Sequence, residues 1–173
     1  MARQFAVERA LRENWQRLFS YALRLCGDRE DAADLLQACA VRALAASPPE
    51  EDGRLRPWLF AILRNVWIDD HRHQRVSQNA KDAVPETFLW CSDQPLIAAI
   101  TVRQALERLE PKHREIIELV DLAGFRYIET AEILSVPVGT VMSRLSRARL
   151  SLLEAIEGGN YRPPAALAKN NDR

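Results

Sequence analysis

Residues 129–149 read ETAEILSVPVGTVMSRLSRAR, and this stretch decides how the second half of the chain folds. Apolar residues recur at helical spacing on both sides of the S-V-P sequence at 135–137. The pattern predicts two helices, 127–134 and 138–156, separated by a turn of three residues. Two helices joined by so short a turn are typical of a helix-turn-helix.

The second helix of this pair has two chemically different faces. Its apolar residues share one face, whereas Thr140, Ser143, Arg144 and Arg147 share another, at i, i+3, i+4 and i+7. Arginine can bind a guanine edge or a phosphate, and short hydroxyls can serve either, so this face has the chemistry of a helix in the major groove. Periodicity alone fits an ordinary amphipathic surface helix equally well.

The same stretch closely resembles the DNA-reading segment of the small extracytoplasmic-function (ECF) RNA polymerase sigma factors of the sigma-70 family. It departs from the pattern at Ser135, where the turn often has glycine, and at Met142, where a basic residue is common. The resemblance implies that the helix reads the upstream, minus-35 promoter element. The implied contact residues are Thr140, Ser143, Arg144, Arg147 and Arg149.

Outside this motif the sequence predicts an all-α chain of two small helical domains joined by a flexible linker. We expect the first domain at 7–75 and the second, with the helix-turn-helix, at 95–157. The linker at 76–94 contains Pro85 and shows no sustained helical period, and the tail at 158–173 has paired glycines and prolines and is expected to be disordered. Strand signals are nearly absent.

Further helices are predicted from apolar periodicity and from the residues that end helices. The first ends where Gly27 and Asp28 break the helical pattern. Its predicted inward residues are Trp15, Leu18, Phe19, Ala22 and Leu25. The other predicted helices are 29–46, 56–75, 100–109 and 112–123.

Residues 22–39, ALRLCGDREDAADLLQAC, resemble the helix with which ECF sigma factors bind core RNA polymerase. Acidic side chains project over one broad face of this helix. Charge alone would also fit a solvated face of a core helix. The resemblance implies docking on the clamp of the polymerase largest subunit. The implied polymerase-binding residues are Asp31, Asp34, Leu35 and Gln37.

Residues 56–72, RPWLFAILRNVWIDDHR, resemble the segment that meets the downstream, minus-10 element as it melts. Aromatic and basic residues alternate at helical spacing here, and such side chains can stack on unpaired bases. For Trp67 a place in the core is an equal alternative. The resemblance also implies that the loop at 47–55 helps to hold an extruded base. The implied contact residues are Phe60, Arg64, Asn65, Trp67, Asp69 and Arg72.

Composition limits the class of protein. The 24 basic and 24 acidic residues cancel, which argues against DNA binding through a strong global field and favours local patches. The three cysteines form no CxxC pair, so neither a disulfide framework nor a metal site at His71, His73 and Cys91 is expected. Neither a membrane-length apolar run nor a secretory signal occurs, so we expect no membrane insertion and a cytoplasmic protein.

Three other functions compete with the sigma-factor interpretation. A sigma-like decoy that sequesters an anti-sigma factor usually carries an α/β receiver domain, and no such pattern occurs here. A stand-alone helix-turn-helix repressor would leave the resemblance of residues 22–39 unexplained. An enzyme is disfavoured because common catalytic and nucleotide-binding motifs are absent. We therefore expect a non-enzymatic sigma factor without a cofactor, with core RNA polymerase, promoter DNA and an anti-sigma factor as partners.

Overall fold

The computed structural model describes residues 2–74, 102 and 104–157, with only the backbone described at residues 2 and 71–74. Helices joined by short turns make up these residues, and none of the described residues is in a strand. The predicted all-α class with a C-terminal helix-turn-helix is therefore confirmed. The predicted linker at 76–94 and tail at 158–173 lie outside the described residues.

Six helices carry the fold in the described part of the chain. The helix predicted over 112–123 is α-helical at first and becomes π-helical at Glu118–Leu122. A 3-10 turn at Asp52–Arg54 precedes the third helix, and residues 104–107 form one helical turn. The six helices are α1 (Ala2–Cys26), α2 (Arg29–Ala45), α3 (Leu55–Gln74), α4 (Pro111–Ile117), α5 (Tyr127–Leu134) and α6 (Val138–Ile156).

The described residues form two compact units. The first comprises residues 2–74 together with 131–135, and the second comprises 102, 104–130 and 136–157.

In the first unit, α1, α2 and α3 each pack against the other two. An aromatic pair joins α1 to α3, since the rings of Tyr21 and Phe60 lie 5.4 Å apart between centroids. Both side chains are about 1% exposed, so they form the centre of this core. The other fully buried large side chains here are Leu18, Leu36, Leu59, Leu63 and Val7.

The buried face of α1 differs in part from the predicted one. Leu18 and Ala22 are buried as predicted, but Trp15 is 43% exposed, so its predicted inward position is wrong. Asn14 lies inward instead, at 8% exposure, where its amide donates a hydrogen bond to the carbonyl of Ala10 at 2.9 Å. The hydrogen bond offsets the cost of burying a polar group, which is why an asparagine can occupy this position.

The turn between α1 and α2 follows directly from two residues. Gly27 has a φ of 80°, a left-handed conformation that glycine adopts without strain after a helix end. Asp28 then caps α2, because its carboxylate accepts hydrogen bonds from the backbone N–H groups of Glu30 and Asp31 at 2.7 and 3.2 Å. These bonds from Asp31 and Glu30 lower the pKa of the Asp28 carboxyl. The cap therefore sets where α2 begins.

In the second unit, α4 packs against α6. Arg114 on α4 joins it to the preceding helical turn, since its guanidinium donates to the carbonyls of Leu106, at 2.8 Å, and Glu107. Gly124 ends the π-helical segment with a φ of 70°. The start of α5 is then stabilised by Glu129, whose carboxylate accepts the backbone N–H of Arg126 at 2.7 Å, as the third helical residue does in a capping box.

Candidate nucleic-acid and polymerase interfaces

The turn before α6 sets the start of the helix that was predicted to read DNA. Ser135 has a φ of 54°, which is the left-handed region that favours glycine. Pro137 is the N-cap residue, and its carbonyl accepts the N–H of Thr140 at 2.9 Å. The predicted ends of α5 and α6 are confirmed at every boundary.

One face of α6 is buried and another is available. Val141, Leu145 and Ala148 are at most 2% exposed and form the packing face. A separate face carries Thr140, Ser143, Arg144 and Arg147, which fall within about 100° of rotation at 3.6 residues per turn. Ser143 and Arg147 on this second face are exposed, and Thr140 and Arg144 are half-buried.

The two arginines of this face have no acidic partner in the described part of the chain. Arg147 donates only to the backbone carbonyl of Ser143, at 3.3 Å, and no ion pair with a described residue engages Arg144. Their positive charges are therefore available to an external anion. The structure brings together four of the five residues predicted for the minus-35 element.

The fifth, Arg149, is placed elsewhere. Its Nε and one of its terminal nitrogens donate to the two carboxylate oxygens of Asp121, at 3.1 and 2.5 Å. The hydrogen bond that Arg149 donates to Asp121 is the main reason why the pKa of the Arg149 guanidinium is raised, and Tyr127 makes a smaller electrostatic contribution.

On α2, the structure separates the predicted polymerase-binding residues into two groups. Asp31, Asp34 and Gln37 are exposed, and together they form an acidic and polar surface. Leu35 is 4% exposed and packs in the core, so burial excludes it from that surface. The predicted polymerase-binding role of Leu35 is therefore corrected: its side chain packs α2 into the core.

On α3, the predicted aromatic stripe is divided in the same way. Phe60 is 1% exposed against Tyr21, so it belongs to the core and cannot stack on a base. Asn65 and Asp69 are exposed, and Arg64 and Trp67 are half-buried. Arg72 lies on α3, but its side chain is outside the described residues.

Two family models match the chain in the order of these units. Residues 10–77 match "Sigma-70 region 2", and residues 100–152 match "Sigma-70, region 4". A curated relative, the ECF RNA polymerase sigma factor EcfG of Rhodopseudomonas palustris, is 36% identical over 148 residues, which cover 82% of this chain and 81% of that protein. The chain belongs to the ECF sigma factors of the sigma-70 family.

Other relatives and solved structures agree with this family. The ECF sigma factor SigL of Mycobacterium tuberculosis is 33% identical over 166 residues, covering 88% of this chain and 93% of its own. The sigma factor RpoE of Bartonella quintana, solved in complex with the anti-sigma factor NepR, matches with a TM-score of 0.68 and 26% identity, over 87% of this chain and 96% of that one. CnrH, solved with the cytosolic domain of CnrY, shares the fold, with a TM-score of 0.61 at 22% identity, over 91% and 99% of the two chains.

The first unit of this sigma factor also contains a cation that the sequence interpretation missed. Arg42 on α2 forms an ion pair with Asp69 on α3, with 3.2 Å between nitrogen and oxygen. Arg42, Trp58, Asn65 and Asp69 line one surface depression. The predicted minus-10 residue Asp69 therefore has a basic neighbour 27 positions away in the sequence. Residue spacing within one helix could not predict this contact, because the two residues lie on different helices.

Two cysteines of this sigma factor are held as unreactive thiols. Cys39 is fully buried, its Sγ lies 3.6 Å from the carbonyl oxygen of Leu59, and burial raises its pKa to about 12. Burial also raises the pKa of Cys26 to about 12, with smaller contributions from nearby carboxylates, chiefly Asp31. Since the thiolate is the reactive form, neither sulfur is activated at neutral pH.

Among the described residues, no cluster of three histidine, cysteine or acidic side chains is suited to bind a metal ion. Cys91 and the side chains of His71 and His73 lie outside that part of the chain. No described helix combines the length and the apolar character that crossing a bilayer requires.

Proposed function

We propose that this ECF sigma factor binds core RNA polymerase through α2 and places it on promoters by contacts of α3 with the minus-10 element and of α6 with the minus-35 element. The observation that carries the proposal is the exposed face of α6, where two arginines have no acidic partner among the described residues. The polymerase performs the chemistry, and this chain supplies position and strand opening. The protein acts in the cytoplasm, where the polymerase and the promoters are.

At the upstream element, Arg144 and Arg147 take different roles. Arg144 lies in the first two turns of α6, where recognition helices usually reach base edges, and Arg147 lies one turn further, nearer the backbone. A base contact is worth about 1–3 kcal/mol of discrimination between sequences. A phosphate contact changes the salt dependence of binding instead. Thr140 and Ser143 complete this face with short hydroxyls.

At the polymerase, the docking surface consists of Asp31, Asp34 and Gln37. Their carboxylates suit a basic patch on the clamp of the largest subunit, since complementary charge steers association and sets the register. The double change Asp31→Arg and Asp34→Arg is expected to abolish retention of core polymerase in a pull-down. Glu8→Arg, a charge reversal at an exposed position of α1, is the matched control and should leave retention unchanged.

Both variants should melt near the temperature of the parent protein, because exposed charge changes usually alter stability by about 0.5 kcal/mol or less. Core polymerase retained at the parent level by a folded Asp31→Arg, Asp34→Arg protein would contradict docking through α2.

At the minus-10 element, the contact residues are Arg64, Asn65 and Trp67. Asn65 is exposed and has an amide that can hydrogen-bond a base edge, and Trp67 is half-buried with an aromatic ring of the kind that stacks on bases. Asp69 forms an ion pair with Arg42 at 3.2 Å, and both residues line the same depression as Asn65. This ion pair brings a further cation to the surface. Arg72 follows on the same helix.

Control by an anti-sigma factor is part of the proposal. It is supported by the likeness to RpoE of Bartonella quintana, which was solved with the anti-sigma factor NepR. Purification of the tagged protein from its native host should recover a protein partner other than polymerase. Recovery of polymerase alone in every growth state would contradict regulation by an anti-sigma factor.

The domain organisation is also part of the proposal: a first domain at 7–75, a linker at 76–94, a second domain at 95–157 and a tail at 158–173.

A further inference from the structure

Arg149 is engaged within the second unit by a two-point contact. Two of its nitrogens donate to the two oxygens of Asp121, which follows α4 in the π-helical segment. One side chain of α6 therefore contacts the segment that follows α4.

Helix geometry places Arg149 away from the DNA-reading face. Successive residues of an α-helix turn by about 100°, so Arg149, two positions after Arg147, is rotated from it by about 200°. The four residues of the reading face lie within about 100° of one another. An arginine on this other side of α6 cannot share their contact with a groove.

We infer that Arg149 is a positioning residue, which with Asp121 sets the orientation of α6 and thereby the orientation of Arg144 and Arg147 toward the promoter. This inference rests on the proposed function. Paired hydrogen bonds between arginine and carboxylate add directional specificity, which a lysine cannot reproduce. The pair is partly exposed, with side-chain exposures of 51% and 31%, and such pairs contribute little to stability, so its consequence is geometric.

The alternative role, a phosphate contact, makes the opposite prediction for Asp121. If Arg149 bound a phosphate, Asp121 would compete with the DNA, and its neutralisation would tighten binding. If Arg149 orients α6, neutralising Asp121 weakens binding although it removes a negative charge near DNA. The sign of the change therefore separates the two roles.

The experiment uses the full chain assembled with core polymerase and measures promoter binding over a series of salt concentrations. Asp121→Asn, Arg149→Ala and the double variant should each weaken binding by about tenfold, without further loss in the double variant, as expected for neighbours that act through one contact. The salt slope should stay at the parent value in all three. Arg149→Lys, which keeps the charge but not the two-point geometry, should bind like Arg149→Ala.

Three controls make the result interpretable. Arg147→Ala should make the decline of log binding constant with log salt concentration less steep by about 0.9, as loss of one phosphate contact does. Glu154→Gln, which removes an exposed acid from α6 outside the Asp121 pair, should bind equally well or more tightly. Thermal melts of Asp121→Asn and Arg149→Lys check that the second unit stays folded.

Tighter binding by Asp121→Asn, a lower salt slope in Arg149→Ala, or full activity of Arg149→Lys would each overturn the inference. Arg144→Ala separates this failure from failure of the proposed function. If Arg144→Ala impairs promoter binding while the Asp121 and Arg149 variants behave like the parent, only the positioning role is wrong. If Arg144→Ala also binds like the parent, the function proposed for α6 is wrong.

Discussion

Truncation of Phe60 decides whether this aromatic residue belongs to the core or to the DNA-binding surface. The ring is 1% exposed and packs 5.4 Å from the ring of Tyr21, measured between centroids. A buried phenylalanine replaced by alanine typically costs about 3–5 kcal/mol, through lost burial and the cavity that remains. Since 1 kcal/mol shifts the melting temperature of a domain this small by about 4–8 °C, Phe60→Ala should lower it by at least about 12 °C.

Thermal melts of the purified protein followed by tryptophan fluorescence test this, since three of the four tryptophans fall within residues 2–74. The matched control is Asn65→Ala on the same helix, whose exposed side chain should leave the melting temperature within about 4 °C of the parent. Asn65→Ala should instead slow promoter opening by the assembled polymerase. A native melting temperature for Phe60→Ala together with defective opening would refute the assignment of Phe60 to the core.

Three further predictions concern backbone conformation and thiol chemistry. Ser135→Gly should raise the free energy of unfolding by about 1 kcal/mol, because glycine adopts a φ of 54° without strain. Gly124→Ala should lower the free energy of unfolding by about as much, because Gly124 has a φ of 70°, although no atom lies within 4 Å of the new methyl group. Gly53→Ala is the control: it is also in open space but has no positive φ, so it should leave the free energy of unfolding unchanged. Equal melting temperatures of the two alanine variants would contradict this argument. Cys26 and Cys39, with pKa values raised to about 12, should resist alkylation of the native protein from pH 7 to pH 9 and react once denaturant is added; rapid labelling at pH 8, located by peptide mapping, would contradict it.

The helix boundaries could be predicted because local chemistry determines them. Gly27 and Asp28 separate α1 from α2 by a left-handed turn and an N-cap, and Pro137 stands at the N-cap of α6. These signals depend on residues adjacent in sequence. The π-helical segment at Glu118–Leu122 has no comparable signal, and the apolar pattern there predicts only a helix.

Which face of a helix is buried was harder to predict. Phe60 and Trp15 were each placed on the wrong side of the boundary between core and surface. A helix packed between two neighbours buries a broad face, as α2 and α3 do, so a contiguous stripe of residue types does not show where burial stops. Charge and aromatic character favour a binding surface only where the side chain is exposed.

The partners of two arginines were beyond prediction from spacing. Arg149 meets Asp121 at 28 positions of separation, and Arg42 meets Asp69 at 27. Helical periodicity relates only residues within one helix, so contacts between elements need the packed fold. Arg144 and Arg147 could be predicted because their shared face lies within α6 alone.

Run-off transcription shows whether this chain directs polymerase to particular promoters. Purified core RNA polymerase is incubated with a genomic promoter library, with and without the protein, and transcripts are sequenced. We expect that defined start sites appear only with the protein, and that Arg144→Ala changes the ranking of promoters with different minus-35 sequences. The same transcripts with and without the protein would show that this chain does not direct promoter choice.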